Sequence, residues 1–127
     1  MNWTAAGAIA MALAVMIGAF GAHGLQGRLD AYSMGVYEKA VFYHFVHALA
    51  LLIVSGLRAA GVVTRAAAQW TCVLLAAGIV IFSGSLYALA LTGNRMLGAI
   101  TPIGGISFIA AWVVLAASVL RPRPPVP

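Results

Sequence analysis

Residues 66–92 read AAAQWTCVLLAAGIVIFSGSLYALALT, 27 positions without a charged side chain. As a helix this run would rise about 40 Å at about 1.5 Å per residue, more than the roughly 30 Å of a bilayer's hydrocarbon. It therefore predicts a membrane-spanning helix that tilts or continues past the membrane. Its apolar positions run on without a period of two, so it is not a barrel strand. Three more uncharged runs, at 3–22, 40–57 and 102–120, have the length of single spans. In hydrocarbon only helices and closed barrels satisfy their own backbone. The expected fold is therefore all-α, an up-down bundle of four transmembrane helices forming one domain over residues 1–120.

Composition excludes the alternatives. The chain is 64% hydrophobic and 7% charged, against about 45–50% and about 25% in soluble domains. Its net charge of +5 comes from basic residues scattered between apolar runs. They form no stripe for a phosphate backbone, so nucleic acid is not a partner and the lipid bilayer is. The single Cys72 lies inside an apolar run and reads as a small buried hydrophobe.

The breaks between runs agree with this reading. Gly21, Gly24 and Gly27 end the first span, Gly61 divides the link from Arg58 to Arg65, and Gly93 closes the third. Thr101-Pro102 reads as a helix start, with Thr as cap and Pro in the first turn. The Pro-rich tail 121–127 cannot continue a helix and is expected to be disordered. No Lys or Arg precedes Arg28, so the first span does not read as a cleaved leader. The polar segment 24–39 reads either as a short interfacial helix or as an extension of the second span, with Glu38 and Lys39 at headgroup level. Arg58, Arg65, Arg121 and Arg123 fall on the side of both termini, and Arg28, Lys39 and Arg95 on the other. That bias places both termini in the cytoplasm of a bacterium, with the chain multi-pass in its inner membrane.

Small residues at Ala6, Ala10, Ala14, Gly18 and Ala22 repeat every four positions along the first span. Gly84 in the third span and Gly104 and Gly105 in the fourth offer further places for close helix approach. The ladder reads as an intrachain packing surface or as a contact with another chain.

The up-down order brings polar residues of four helices into the half of the membrane away from the termini. His23 ends the first helix; Tyr43, His44 and His47 begin the second; Ser83, Ser85, Tyr87 and Thr92 lie in the last half of the third; Thr101 and Ser107 begin the fourth. Polar groups at such depth are expected to face inward. The geometric expectation is one cluster of His23, His47 and the segment from Ser83 to Tyr87. His44 and His47 have no Cys, Asp or Glu at their depth, so no metal site is assigned. No phosphate loop, zinc motif or nucleophile elbow is present, no cofactor is implied, and the chain does not read as an enzyme.

Four blocks in order carry a resemblance: residues 18–25 (GAFGAHGL), 43–52 (YHFVHALALL), 82–93 (FSGSLYALALTG) and 97–105 (LGAITPIGG). Together they resemble the YgdD/YwdK-like family of small membrane proteins, a domain-of-unknown-function family. The resemblance covers nearly the whole chain. It implies four helices in bacterial inner membranes, with distant relatives in animal mitochondria, and no established activity. His23 and His47 fall in its blocks, whereas His44 stands where the resemblance implies Gln or another polar residue. Two readings of function follow. One is a non-enzymatic accessory protein that contacts a larger membrane complex or itself. The other is a small transporter or proton-linked permeation protein using the His/Tyr/Ser cluster.

Overall fold

The structure, a computed structural model, describes residues 1–122. Four helices are long and apolar enough to cross a membrane: Trp3–Leu25, Ala31–Ala59, Arg65–Thr92 and Arg95–Leu120. The first consists of α1 (Trp3–Phe20) and a wider π turn, Gly21–Leu25. The second is the uninterrupted α2 (Ala31–Ala59). The third joins α3 (Arg65–Gly78) to α4 (Gly84–Thr92) through a second π turn, Ile79–Ser83. The fourth is a 3-10 turn, Arg95–Ala99, followed by α5 (Thr101–Leu120). No strand occurs among the described residues.

From Ala31 onward the polar segment before the second span is part of α2, not a separate interfacial helix; its first residues close the π turn and form the link. Asp30 explains where it begins: its carboxylate accepts from the backbone N–H of Ser33 at 2.7 Å, capping the helix. The same backbone bond, with the Ser33 hydroxyl and the more distant Arg95 acting in the same sense, holds the Asp30 carboxyl below its usual range. Asn2 caps α1 through Ala5, and Thr64 caps α3 through Ala67. Thr101 does not cap α5. Ile100 stands at that position without a side-chain bond, while Pro102 does lie in the first turn. Of the glycines expected to end the first span, Gly21 and Gly24 remain helical; Gly27, like Gly61 and Gly93, adopts the positive φ that turns the chain between spans. At the C-terminal end Arg121 is extended. The expected disordered tail falls mostly on residues 123–127, which lie outside the described residues.

The order is up-down. Trp3 at the start of the first span meets Gln69 near the start of the third, through an indole N–H···O bond of 2.8 Å. Tyr37 near the start of the second span reaches Ile17 near the end of the first, and Ser85 near the end of the third reaches Thr101 at the start of α5. The second and third spans form the central pair: 39% of each apolar window is buried, against 17% in the first and fourth. α1 packs along α2 and α5 along α3, so the outer spans flank the pair. Their outer faces carry exposed apolar side chains, among them Ile9, Leu13 and Met16 in α1 and Ile103, Ile106 and Ile109 in α5. In lipid such faces need no cover.

Small residues fix the crossings, though not in the expected ladder. A step of four residues advances about 40° around a helix, so Ala22 lies about 160° from Ala6. Ala14 is fully buried and Ala6, Ala10 and Gly18 are half-buried, but Ala22 is exposed. The packed stripe instead runs through Gly7, Ala14 and Gly21, seven residues apart, which keeps it on one face. A Cβ on Gly18 would stand 3.3 Å from Val41, and one on Gly7 2.9 Å from Leu52. The tightest crossing joins the third and fourth spans. A Cβ on Gly104 would lie 2.4 Å from the backbone nitrogen of Phe82, whereas Gly105 meets the Phe82 ring at an ordinary 3.7 Å. Gly84 packs against nothing within 4 Å of that position and is no crossing point.

Two predictions follow from this packing. Gly104→Ala should destabilise the detergent-solubilised protein by about 1–3 kcal/mol, because backbone must move, while Gly84→Ala should be neutral or stabilising by up to about 1 kcal/mol. Equal effects in denaturant titration would contradict the assigned crossing. The Thr71 hydroxyl is buried without a partner among the described residues. Thr71→Val keeps its shape and removes the unsatisfied group, so it should leave stability equal or higher; a clear loss would show a bond there.

Candidate functional site

The polar residues of the bundle interior are all placed, but in separate pairings, not in one cluster. His44 and His47 are both buried on α2. Three residues along a helix turn the side chain by about 60°, and this sends the two imidazoles to different neighbours. His44 faces the first and third spans; His47 faces the fourth.

His44 Nδ1 lies 2.9 Å from the Tyr87 hydroxyl. The ring also approaches the backbone of Ala10 in α1. The Tyr87 hydroxyl and Nδ1 share this bond, and which of the two donates follows the tautomer of the ring. The imidazole thereby joins α2 to the third span. Tyr87 reaches this depth because helical side chains lean toward their helix's N-terminus, which for antiparallel neighbours brings His44 and Tyr87 together.

His47 has two directional bonds. Its Nδ1 is 2.7 Å from the Tyr43 carbonyl, one turn earlier, and a carbonyl can only accept. Its Nε2 receives the Trp112 indole N–H of α5 at 3.3 Å, and an indole can only donate. Both bonds are made together only by the neutral imidazole with its proton on Nδ1. The ring stacks on Phe108 with centroids 3.5 Å apart and planes 12° apart. Tyr43 closes the box, 5.9 Å from the His47 ring and nearly parallel to it, and 4.5 Å from Phe82.

The hydroxyls bond elsewhere. Ser83 donates to the Ala40 carbonyl of α2 at 2.9 Å. Ala40 lies seven residues, about 10 Å of helix, from His47, so a short serine cannot reach both. Ser85 and Thr101 share a 2.6 Å bond between the third and fourth spans, which is where the Thr101 hydroxyl goes instead of capping α5. His23 departs most from expectation. It sits on the π turn at the end of the first span, exposed and without a partner among the described residues. At the water-facing end of a span an imidazole is solvated and nothing draws it inward.

Two contributors, Tyr37 and Trp112, went unread in the sequence. Tyr37, buried, donates to the Ile17 carbonyl at 2.5 Å, and its ring lies 5.4 Å from that of Tyr87. It stands two turns before His44 on the same helix face, a spacing that was visible. Gly21 makes room for it, since a Cβ there would fall 2.4 Å from the Tyr37 ring. Trp112 carries an obligate donor at mid-span and so required an acceptor on a neighbouring helix. Ser107, which the sequence does place among the inward polar groups, donates to the Leu74 carbonyl of α3 at 2.7 Å.

Every such bond links one span to another or fixes a ring against its own helix. Clefts open along the α1–α2 groove, where Tyr37 lines one with Gln26 and Glu38, beside Trp70 and Arg121, and on the face carrying Arg58 and Arg65. His44, His47, Ser83, Ser85 and Thr101 line none of these. Among the described residues no three His, Cys, Asp or Glu side chains converge, so no set of metal ligands is on offer.

The His47 assignment is open to measurement. In isotope-labelled protein its nitrogens should report the Nδ1–H neutral tautomer, with Nε2 as acceptor. Trp112→Phe should cost about 0.6–2 kcal/mol, the range for hydrogen bonds between membrane helices, and should move the Nε2 resonance. An Nε2–H tautomer in the parent protein would refute the pairing.

The comparisons with known proteins agree with the architecture. A family described as "Protein of unknown function (DUF423)" matches residues 17–105. A UPF0382 membrane protein of Staphylococcus haemolyticus is 49% identical over 115 residues, covering 91% of this chain and 92% of its own. The UPF0382 membrane protein YwdK of Bacillus subtilis is 44% identical over 117 residues, covering 91% of this chain and 93% of its own. No solved structure matches. With most of its length matched by the family and by relatives of nearly its own size, the chain belongs to the DUF423 family of membrane proteins of unknown function.

Proposed function

We propose that the protein is a non-enzymatic accessory component of the bacterial inner membrane, acting through contacts of its outer helix faces with a second copy or a larger membrane complex. The observation that carries this reading is the engagement of the interior polar groups. His47 is held by a carbonyl on one side and an indole N–H on the other. Protonating Nε2 would set donor against donor and break the link to α5. His44, Ser83, Ser85 and Thr101 are likewise engaged within the chain. Such groups serve as locks between helices, and a proton relay or a nucleophile would need one of them free.

A second feature supports contact with another chain. Ala5, Ala8, Ala12 and Ala19 are all exposed on α1 and fall within about 60° of one another around the helix. A smooth stripe of this kind lets a further helix approach closely where lipid supplies no hydrophobic drive. For orientation, the arginine bias favours both ends on the cytoplasmic side.

Chemical crosslinking in native membranes and native mass spectrometry from mild detergent test the proposal. The parent chain should be recovered with a second copy or a defined membrane partner. Ala12→Leu should abolish that recovery while leaving helix content unchanged. Monomer alone under every mild condition, or an association indifferent to Ala12→Leu, would refute the role assigned to this face.

A further inference from the structure

The two ends of the bundle treat their charges differently. At the end away from the termini, Asp30 caps α2 and the Arg95 guanidinium lies 5.0 Å from the Tyr32 ring centroid, over its face. Both acidic residues of the chain, Asp30 and Glu38, belong to that end. The opposite face has Arg58 in the last turn of α2 and Arg65 at the first position of α3, with no carboxylate side chain near them in the chain. Among the described residues neither guanidinium has a hydrogen-bond or ion-pair partner.

These arginines border two adjoining clefts between the first three spans, of about 130 Å³ and about 300 Å³, which share Met1, Trp3 and Arg58. Arg65 lines the smaller; Asn2, Thr4 and Ser55 line the larger. The polar inventory consists almost wholly of donors. Each guanidinium presents five N–H groups; Thr4 and Ser55 have hydroxyls without a partner among the described residues. The Asn2 carbonyl oxygen already accepts from Ala5, which leaves its amide N–H groups to donate. Trp3 marks the water–lipid boundary at this depth. A donor-rich hollow whose forked cations have no partner and no anion among the described residues is complementary to a tetrahedral oxyanion.

We propose that this cleft is a binding site for a phosphate group at the membrane surface, gripped by Arg58 and Arg65 and completed by the Ser55 and Thr4 hydroxyls. The phosphate is that of an anionic lipid headgroup or of a free phosphate, and the two sources are separable by experiment.

The full-length protein is placed in phosphatidylcholine bilayers with and without phosphatidylglycerol, and its thermal unfolding and lipid retention are followed. Phosphatidylglycerol should raise the midpoint for the parent protein. For R58Q/R65Q the apparent affinity should fall about tenfold or more, with an unchanged midpoint in phosphatidylcholine alone. R58Q and R65Q singly should each lose part of the effect and keep the test readable should the double variant fold poorly. R121Q removes a charge from the same face outside these two clefts and should behave as the parent. A second arm adds inorganic phosphate in phosphatidylcholine alone. A matching rise, lost in R58Q/R65Q, assigns the site to free phosphate; no rise beside a positive lipid arm assigns it to the headgroup. An equal lipid effect in parent and R58Q/R65Q, an equal loss in R121Q, or no response to either probe would overturn the proposal.

Discussion

Hydrocarbon offers no hydrogen-bond partner, and that absence organises this molecule from its backbone outward. The backbone answers by forming helices. The side chains answer by finding acceptors on other helices: Ser83 on the Ala40 carbonyl, Ser107 on the Leu74 carbonyl, Tyr37 on the Ile17 carbonyl, Trp112 on His47. Apolar contact cannot choose between neighbours here, because a leucine packs about as well against lipid as against another leucine. Each polar bond is worth only about 0.6–2 kcal/mol in such settings, yet each can be made in only one register. Together they specify which span lies beside which, and at what height.

The same bonds depend on two departures from regular helix. A π turn widens the helix and loosens its own ladder of bonds. At Gly21–Leu25 it follows Ile17, whose carbonyl receives both the Gly21 N–H and the Tyr37 hydroxyl, while Gly21 leaves space for the tyrosine ring. At Ile79–Ser83 the second wide turn carries Phe82 against Tyr43 and Phe108 and delivers Ser83 to α2. Gly78 and Gly104 then let the fourth span close over it, for a Cβ on Gly78 would meet the Phe108 ring at 2.3 Å. Polar bond, wide turn and missing side chain thus act as one device at each crossing.

What the sequence discloses follows from the same physics. Spans are written in composition, because a charge ends an apolar run wherever it occurs, and all four were readable. Which face of a span turns inward is hardly written at all when every face is apolar. Ala6, Ala10, Ala14, Gly18 and Ala22 look like a stripe on paper, yet a period of four drifts off a 3.6-residue helix, so the buried face runs through Gly7, Ala14 and Gly21 and leaves Ala22 exposed. Depth was legible for His44 and His47, because polar groups inside a span must turn inward. Their partners were not, since a 60° difference in direction sends them to different helices. His23 was misread for want of one quantity, its height: two turns deeper it would have needed a partner, and at the end of the span water suffices.

The bonded pairs are unevenly distributed along the bundle, and this bears on where its adaptable surface lies. In the half away from the termini, Tyr37, Ala40, His44, Ser83, Ser85, Tyr87 and Thr101 are tied across spans. In the other half the core is nearly all apolar, built from Ala50, Leu51, Val54, Cys72 and Leu75, with the Trp3–Gln69 bond at its edge. Apolar packing restores itself after a small displacement, whereas a directional hydrogen bond is lost by one. The polar half therefore fixes the arrangement of the four helices. The terminal half, less constrained and carrying Arg58 and Arg65 without partners among the described residues, is the part of the molecule with charge to offer to a ligand.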